Sequence, residues 1–274
     1  MVRITLLGTG SPIPDPRRAG PSTLVAADGL TLLVDCGRGV AMRLAAAGVL
    51  PPMLDAVLLT HLHSDHITDL GDIVTTHWVM STAPRPLIVY GPPGTSEVVA
   101  GTLASLAPDI RYRIDHHDDL TAGPDVRVTE VVPGDRFELG PATVTVGQTD
   151  HRPVEPTVAF RVEVGGRAAV LGGDGVPCSG LDTLCRGADA YVQTVIREDL
   201  VRSIPSARLQ DILDYHSTVE QAADTAARAG VATLVLTHYV PPLQPGQEDS
   251  WRALAAARFD GTIVLGDDLT AVDL

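Results

Sequence analysis

Ala56-Val57-Leu58-Leu59-Thr60-His61-Leu62-His63-Ser64-Asp65-His66 carries the decisive pattern of this chain. The first four residues are an apolar run of the kind that forms a buried strand. The last six hold four potential metal ligands, His61, His63, Asp65 and His66. Imidazole and carboxylate are the N and O donors that suit Zn²⁺ and its first-row neighbours. At a strand end the chain turns, so residues two apart converge on one ion, and Asp65 and His66, opening a helix, can face a second. A His-rich polar turn would be the plain alternative, but the whole chain has only nine histidines.

Three further ligand-type residues sit at the ends of apolar runs. They are His151 in Gln148-Thr149-Asp150-His151, Asp174 in Leu171-Gly172-Gly173-Asp174, and His238 in Leu234-Val235-Leu236-Thr237-His238. Each alone reads as an ordinary loop residue. Together, four strand-end positions point to one cluster at one edge of the sheets, where a rigid scaffold can hold a metal centre. Asp35, ending Leu32-Leu33-Val34, is a candidate to accept the free N–H of a ligating histidine, with a simple turn beside Gly37 as the other reading.

The remaining pattern sets the architecture. Strands are expected at Val2–Leu7, Ser22–Ala26, Thr31–Val34, Ala56–Leu59 and Leu87–Tyr90, with helices at Gly39–Ala47, Ile67–Met80 and Thr95–Leu106. From Val126 to Val170 the pattern is almost wholly β. Helices return at Leu181–Arg186 and Val219–Ala229, then a strand at Thr233–Leu236, a helix at Trp251–Arg258 and strands at Thr262–Leu265 and Thr270–Val272. Strands grouped this way suit two sheets packed face to face with helices outside, rather than one doubly wound sheet. We expect one α/β domain over residues 1–274.

Composition narrows the function. Twenty basic residues, all Arg, stand against 34 acidic ones, a formal net charge of −14. The absence of Lys excludes a Schiff-base lysine and a Walker-type phosphate loop. The acidic balance argues against a broad nucleic-acid surface. Three cysteines are too few for a disulfide framework. No apolar run is long enough to span a membrane, and no signal peptide is visible, so a cytoplasmic protein without a membrane partner is expected.

The H-x-H-x-D-H run with isolated His, Asp and His at later strand ends resembles the metallo-β-lactamase superfamily of dinuclear metallohydrolases. The likeness includes Leu6-Leu7-Gly8-Thr9-Gly10 and Leu33-Val34-Asp35-Cys36-Gly37. A narrower likeness is to its ribonuclease Z and arylsulfatase-like branch, through Tyr215-His216-Ser217-Thr218-Val219-Glu220-Gln221-Ala222-Ala223 and Leu236-Thr237-His238-Tyr239. The resemblance implies a four-layer αββα sandwich of two mixed sheets with outer helices. It implies two Zn²⁺ per chain, with Mn²⁺ or Fe²⁺ as alternatives. His61, His63 and His151 would hold the first ion, Asp65, His66 and His238 the second, and Asp174 would bridge them with a water or hydroxide. Asp65 would also orient that nucleophile. His216 would stabilise developing charge or protonate the leaving oxygen; its other reading is a residue capping the Val219–Ala229 helix.

The chain departs from that branch in two places. Transfer-RNA-processing ribonuclease Z enzymes carry a long arm between the third metal histidine and the bridging aspartate, whereas His151 and Asp174 are 23 positions apart, room for a hairpin only. The family's His-Glu-Ala-Thr-like strand end is here Val192-Gln193-Thr194-Val195. These departures and the acidic charge favour a small-molecule ester-type substrate (phosphodiester, sulfate ester, carboxylic ester or lactone) and disfavour nucleic acid. An RNA 3′-end endonuclease and a non-catalytic metal-binding sensor remain the alternatives, and a homodimer is left open. His77 and Trp78 are read as packed or surface helix positions that could line a pocket. His116 and His117 are read as an exposed pair without a role, and the three cysteines as structural. Arg197, Arg202 and Arg208 are read as local ion-pair partners or contacts to a substrate anion.

Overall fold

A computed structural model describes residues Met1–Leu274. Its first half lays down β1 (Val2–Gly8), β2 (Ser22–Ala27), β3 (Leu30–Val34), β4 (Ala56–Leu58), β5 (Leu87–Gly91) and β6 (Val126–Glu130). The second adds β7 (Arg136–Leu139), β8 (Ala142–Gln148), β9 (Val158–Val164), β10 (Arg167–Leu171), β11 (Ala190–Ile196), β12 (Thr233–Val240), β13 (Thr262–Leu265) and β14 (Ala271–Asp273). They form two seven-stranded sheets, ordered β14-β1-β2-β3-β4-β5-β6 and β13-β12-β11-β10-β9-β8-β7. In each half the early strands pair antiparallel and the later ones parallel, so both sheets are mixed.

Side-chain alternation explains the layering. On β3, Leu30, Leu32 and Val34 point into the space between the sheets, while Leu33 points outward. On β4, Ala56 and Leu58 face inward and Val57 outward. The inward set meets Val144, Val146, Phe160, Val162 and Leu171 of the other sheet. Outside the first sheet lie α1 (Val40–Ala46), α2 (Ser64–Ile67), α3 (Leu70–Met80) and α4 (Thr95–His116), of which α1, α3 and α4 cover Leu33, Val57 and Val89. Outside the second lie α5 (Ser179–Cys185), the short α6 (Glu198–Arg202) and α7 (Ala207–Gln210), then α8 (Val219–Ala229) and α9 (Glu248–Ala256). Leu181, Ala222, Ala226, Trp251 and Ala255 on α5, α8 and α9 pack on Tyr191, Leu234 and Leu236. This is the αββα sandwich that the sequence resemblance implied.

Several elements differ from the sequence reading, among them the short α6 and α7, which it did not anticipate, and β12, which runs on past Leu236 to Val240. The helix expected to stop at Leu106 continues to His116 through Pro108, on a stretch where Pro108 and Ala104 are exposed, so water can satisfy the Ala104 carbonyl that loses its N–H partner. The helix expected from Ile67 is split into α2 and α3. The strand β11 was not anticipated as a whole, because Gln193 and Thr194 interrupt its apolar run, yet all seven of its residues are buried. No helix is long and apolar enough to cross a membrane.

β4, β8, β10 and β12 all run toward one edge of the sandwich. The sheets are tied there by a hydrogen bond from Val158 N–H to the Thr60 carbonyl (2.9 Å), joining the start of β9 to the residues after β4. Phe160, fully buried between the sheets, helps hold that edge in register. Phe160→Ala is expected to cost about 3–5 kcal/mol of unfolding free energy, the usual range for a large buried ring. Urea unfolding monitored by circular dichroism checks this; a loss under about 1 kcal/mol would show that the two sheets do not depend on that ring.

Candidate metal centre

The strand ends deliver the chemistry. His61 and His63 follow β4, and Asp65 and His66 lie in α2. His151 follows β8, Asp174 follows β10, His216 precedes α8, and His238 lies near the end of β12. Two groups of donors result, each with its ligand atoms within 4.8 Å of one another: His61, His63, His151 and Asp174, and Asp65, His66 and His238. Asp174 Oδ2 lies between them, 3.4 Å from His66 Nε2, 3.6 Å from His238 Nε2, 3.7 Å from His61 Nε2 and 3.9 Å from His151 Nε2. Every one of these residues except His63 is buried, so the cluster opens to solvent at His63.

Electrostatics follow from that crowding. Burial would raise the Asp174 carboxyl, but the His238 and His66 imidazoles outweigh it and hold the group well below the usual carboxylate range. His66 goes the other way: burial lowers it, and Asp174 and Asp35 carry it well above the usual imidazole value. Burial pushes His151 down to about 4 and holds His61 well below, and His63 below, the ordinary value. Neutral imidazoles leave a ring nitrogen free to bind a cation.

The residues fit a divalent metal such as zinc. Five imidazoles and two carboxylates are its N and O donors. His66 Nε2 and Asp174 Oδ1 are buried without a hydrogen-bond partner. Such orphaned polar atoms are costly unless something else satisfies them, and a cation would satisfy both.

The outer nitrogens of three of these histidines are held too, whereas His238 Nδ1 is buried without a partner. Asp35 Oδ2 takes His66 Nδ1 (2.9 Å). The Tyr215 carbonyl takes His151 Nδ1 (2.7 Å), and the Thr60 hydroxyl lies 3.0 Å from His61 Nδ1. Asp35 and His238 adopt left-handed backbone (φ +62° and +55°), unfavourable for non-glycine residues. The turn before Asp174 needs glycine: Gly173 has φ +64°, and a Cβ there would lie 2.8 Å from Thr60 Cβ. Sequence reasoning passed over Thr60, although it directly precedes His61. It had no means of finding the Tyr215 carbonyl, because every residue carries one.

His216 stands beside both donor groups and in neither. Its Nε2 is 3.3 Å from Asp174 Oδ2, and its Nδ1 is 3.0 Å from the Ile212 carbonyl. α8 is capped without it: Thr218 Oγ1 accepts from Gln221 N–H and Gln221 Oε1 from Thr218 N–H, 3.2 and 2.9 Å. Gln193 and Thr194, at the departures from the family motif, donate to the Gly173 carbonyl, each at 3.0 Å. They brace the turn before Asp174 instead of reaching His216.

The other candidates lie elsewhere. Arg197 pairs with Asp199 and Arg202 with Glu198; Arg208 is exposed on α7. His77 is buried on α3, and Trp78 lines a cavity of about 410 Å³ with Arg85 and Arg127, away from the cluster. His116 and His117 stack edge-on at the end of α4, outside both donor groups. Cys36 and Cys185 are buried, and all three cysteines are free. Between His151 and Asp174 the chain makes the β9–β10 hairpin, with no arm.

Comparison with known proteins places this geometry. Residues 31–239 match the family model described as a β-lactamase superfamily domain. A protein named ribonuclease Z from Mycolicibacterium gilvum (strain PYR-GCK) is 61% identical, over all of this chain and 96% of the relative. One of the same name from Mycolicibacterium paratuberculosis (strain ATCC BAA-968 / K-10) is 60% identical, over all of this chain and 99% of the relative. Among solved structures, the Bacillus subtilis metallo-β-lactamase fold protein YhfI superposes with a TM-score of 0.78 at 24% identity, over 99% of this chain and 98% of that one. Human tRNase Z, short form, does so with 0.72 at 23%, again over 99% and 98%.

These relatives overturn one expectation. Reading nucleic acid as disfavoured and a small-molecule ester as the substrate conflicts with full-length relatives about 60% identical that are named for a ribonuclease. The error lay in treating −14 as a property of the site. Net charge sums the whole surface, whereas contact with a phosphate depends on the groups within about one Debye length, roughly 8 Å at physiological salt.

Asp174→Ala removes the carboxylate shared by the two donor groups. The variant is expected to lose at least half of the metal that the wild-type chain retains after dialysis, measured by atomic emission. Retention of the full amount would show that Asp174 is not a ligand.

Proposed function

This chain belongs to the β-lactamase superfamily as a metal-dependent hydrolase of ester bonds, and from that premise we propose that its substrate is RNA, cleaved endonucleolytically near a 3′ end in the manner of ribonuclease Z. The observation that carries this reading is the full-length match to proteins of that name, in a chain that holds the complete donor set. We assign His61, His63 and His151 to one zinc ion, Asp65, His66 and His238 to a second, and Asp174 to both. Bound there, the ions would lower the pKa of a water and neutralise charge on the phosphate.

The chain's own groups supply the rest. Asp65, 3.3 Å from His238 through Oδ2, is placed to accept a hydrogen bond from the attacking water and orient it. His216, with Nδ1 directed to the Ile212 carbonyl, has Nε2 turned toward the cluster. When protonated it can donate to the leaving oxygen as the P–O bond breaks. His63, at the open side, marks where the phosphate enters. With no arm to grip the RNA, backbone contacts fall to the rim, where the segment from Arg197 to Tyr215 leads directly into His216 and carries the exposed Arg208.

Zinc-loaded protein is expected to cut a precursor transfer RNA, and a chelator to stop it. Hydrolysis of simple aryl esters with an intact precursor at every salt concentration tested would return the substrate to the small-molecule class. His216→Ala is expected to keep its metal and lose roughly 10²–10⁴ in rate on RNA, the range for one positioned acid–base group. The loss should be much smaller on bis-(nitrophenyl) phosphate, whose leaving group scarcely needs a proton. Equal losses on both substrates would remove leaving-group protonation from the role of His216.

A further inference from the structure

Thr60 is the last residue before the first ligand histidine, and its side chain reaches two site groups. Its hydroxyl oxygen lies 2.9 Å from Asp35 Oδ2, 3.1 Å from Asp35 Oδ1 and 3.0 Å from His61 Nδ1. Its backbone N–H donates to Asp35 Oδ1 at 2.8 Å. A hydroxyl has one proton to give, and a carboxylate can only accept. The Thr60 O–H therefore points to Asp35, and its oxygen is left to accept from His61. That makes His61 the Nδ1–H tautomer and leaves Nε2 unprotonated, facing the cluster 3.1 Å from His63 Nδ1. The same Asp35 carboxylate takes the Nδ1–H of His66 directly.

We infer that Thr60 is a positioning residue that connects His61 to Asp35, so that one buried carboxylate orients one imidazole of each donor group: His66 by contact and His61 through a hydroxyl. The inference rests on the metal-site assignment above. Both anchors sit where the fold is rigid. Asp35 N–H is bonded to the Leu58 carbonyl, and the Thr60 carbonyl receives Val158 N–H from the other sheet. Thr60 is buried and packed against Gly173, so its methyl and its hydroxyl have separate duties that substitution can divide.

Thr60→Val keeps the shape and removes the hydroxyl; Thr60→Ser keeps the hydroxyl. Zinc titration of wild type should show two classes of site. Thr60→Val should weaken the class that holds His61 by about 10–100-fold, the usual effect of removing a partner of a ligand. The other class should stay within about threefold, and Thr60→Ser should stay near wild type in both. Asp35→Asn should weaken both classes. Wild-type affinity at both sites in Thr60→Val overturns the inference. Equal weakening of both sites also overturns it, because Thr60 would then be merely supporting the fold.

A second measurement does not depend on metal. Long-range ¹⁵N–¹H spectra of the metal-free protein should show His61 as the Nδ1–H tautomer in wild type and Thr60→Ser, and no such preference in Thr60→Val. An Nε2–H tautomer in wild type overturns the inference even if two ions bind. A wild-type chain that binds fewer than two ions while His61 keeps the expected tautomer refutes the dinuclear assignment and leaves the role of Thr60 standing.

Discussion

Everything at this centre depends on one buried oxygen. Asp174 Oδ2 is surrounded by imidazole nitrogens of His61, His66, His151, His216 and His238 at 3.3–3.9 Å. A carboxylate withdrawn from water is costly unless charge and hydrogen bonds replace its hydration. Here the replacement comes from loops of both sheets, so the site exists only while the two sheets hold one alignment. A strand advances about 3.3 Å per residue, so a slip of one residue between the sheets would pull His61 and His66 out of reach of Asp174. The inter-sheet core and the Val158–Thr60 hydrogen bond at the site edge oppose that slip.

The same demand explains the irregular backbone around the donors. His238 is left-handed within the course of β12, and its neighbours are pinned on every side. Tyr239 N–H donates to the Thr9 carbonyl, and the one proton of the Tyr239 hydroxyl is shared between the carbonyls of Leu236 and Gly266, 2.7 and 2.9 Å away. The Arg18 guanidinium lies 5.0 Å from that ring and bonds Thr9 Oγ1. Asp268 then fastens Thr9, Ala19 and Arg43 together. The N-terminal loop and the turn before β14 therefore act as a clamp on the last donor, far from it in sequence and adjacent in space. A strained φ persists when its surroundings determine it this fully.

What could be read from sequence follows from where the information resides. The clustering of these side chains was visible because side-chain chemistry is explicit: few histidines, placed after apolar strands, point to one edge, and the fold brings them together there in two groups. The two-sheet layering was visible through alternation, as in Leu30, Leu32 and Val34 against Leu33. β11 was obscured because Gln193 and Thr194 look like a break, while in the fold they bond the Gly173 carbonyl from a fully buried strand. The carbonyls of Ile212 and Tyr215 that direct His216 and His151 were beyond reach, since a backbone group has no sequence signature.

The substrate was misjudged because charge was counted where it should have been located. Next to His151 the Asp150 carboxylate is already engaged by Arg152. Charge neutralised in this way presents little free negative field to an approaching phosphate, while bound cations would add positive charge at the reacting centre itself. An acidic chain can then take an anionic polymer if recognition is concentrated on the scissile phosphate and its immediate neighbours. Such a mode displaces few counterions, because the steepness of salt dependence grows with the number of phosphates contacted. The acidic balance of the chain therefore speaks to how RNA would be held, by few contacts around one buried centre, and not to whether it is the substrate.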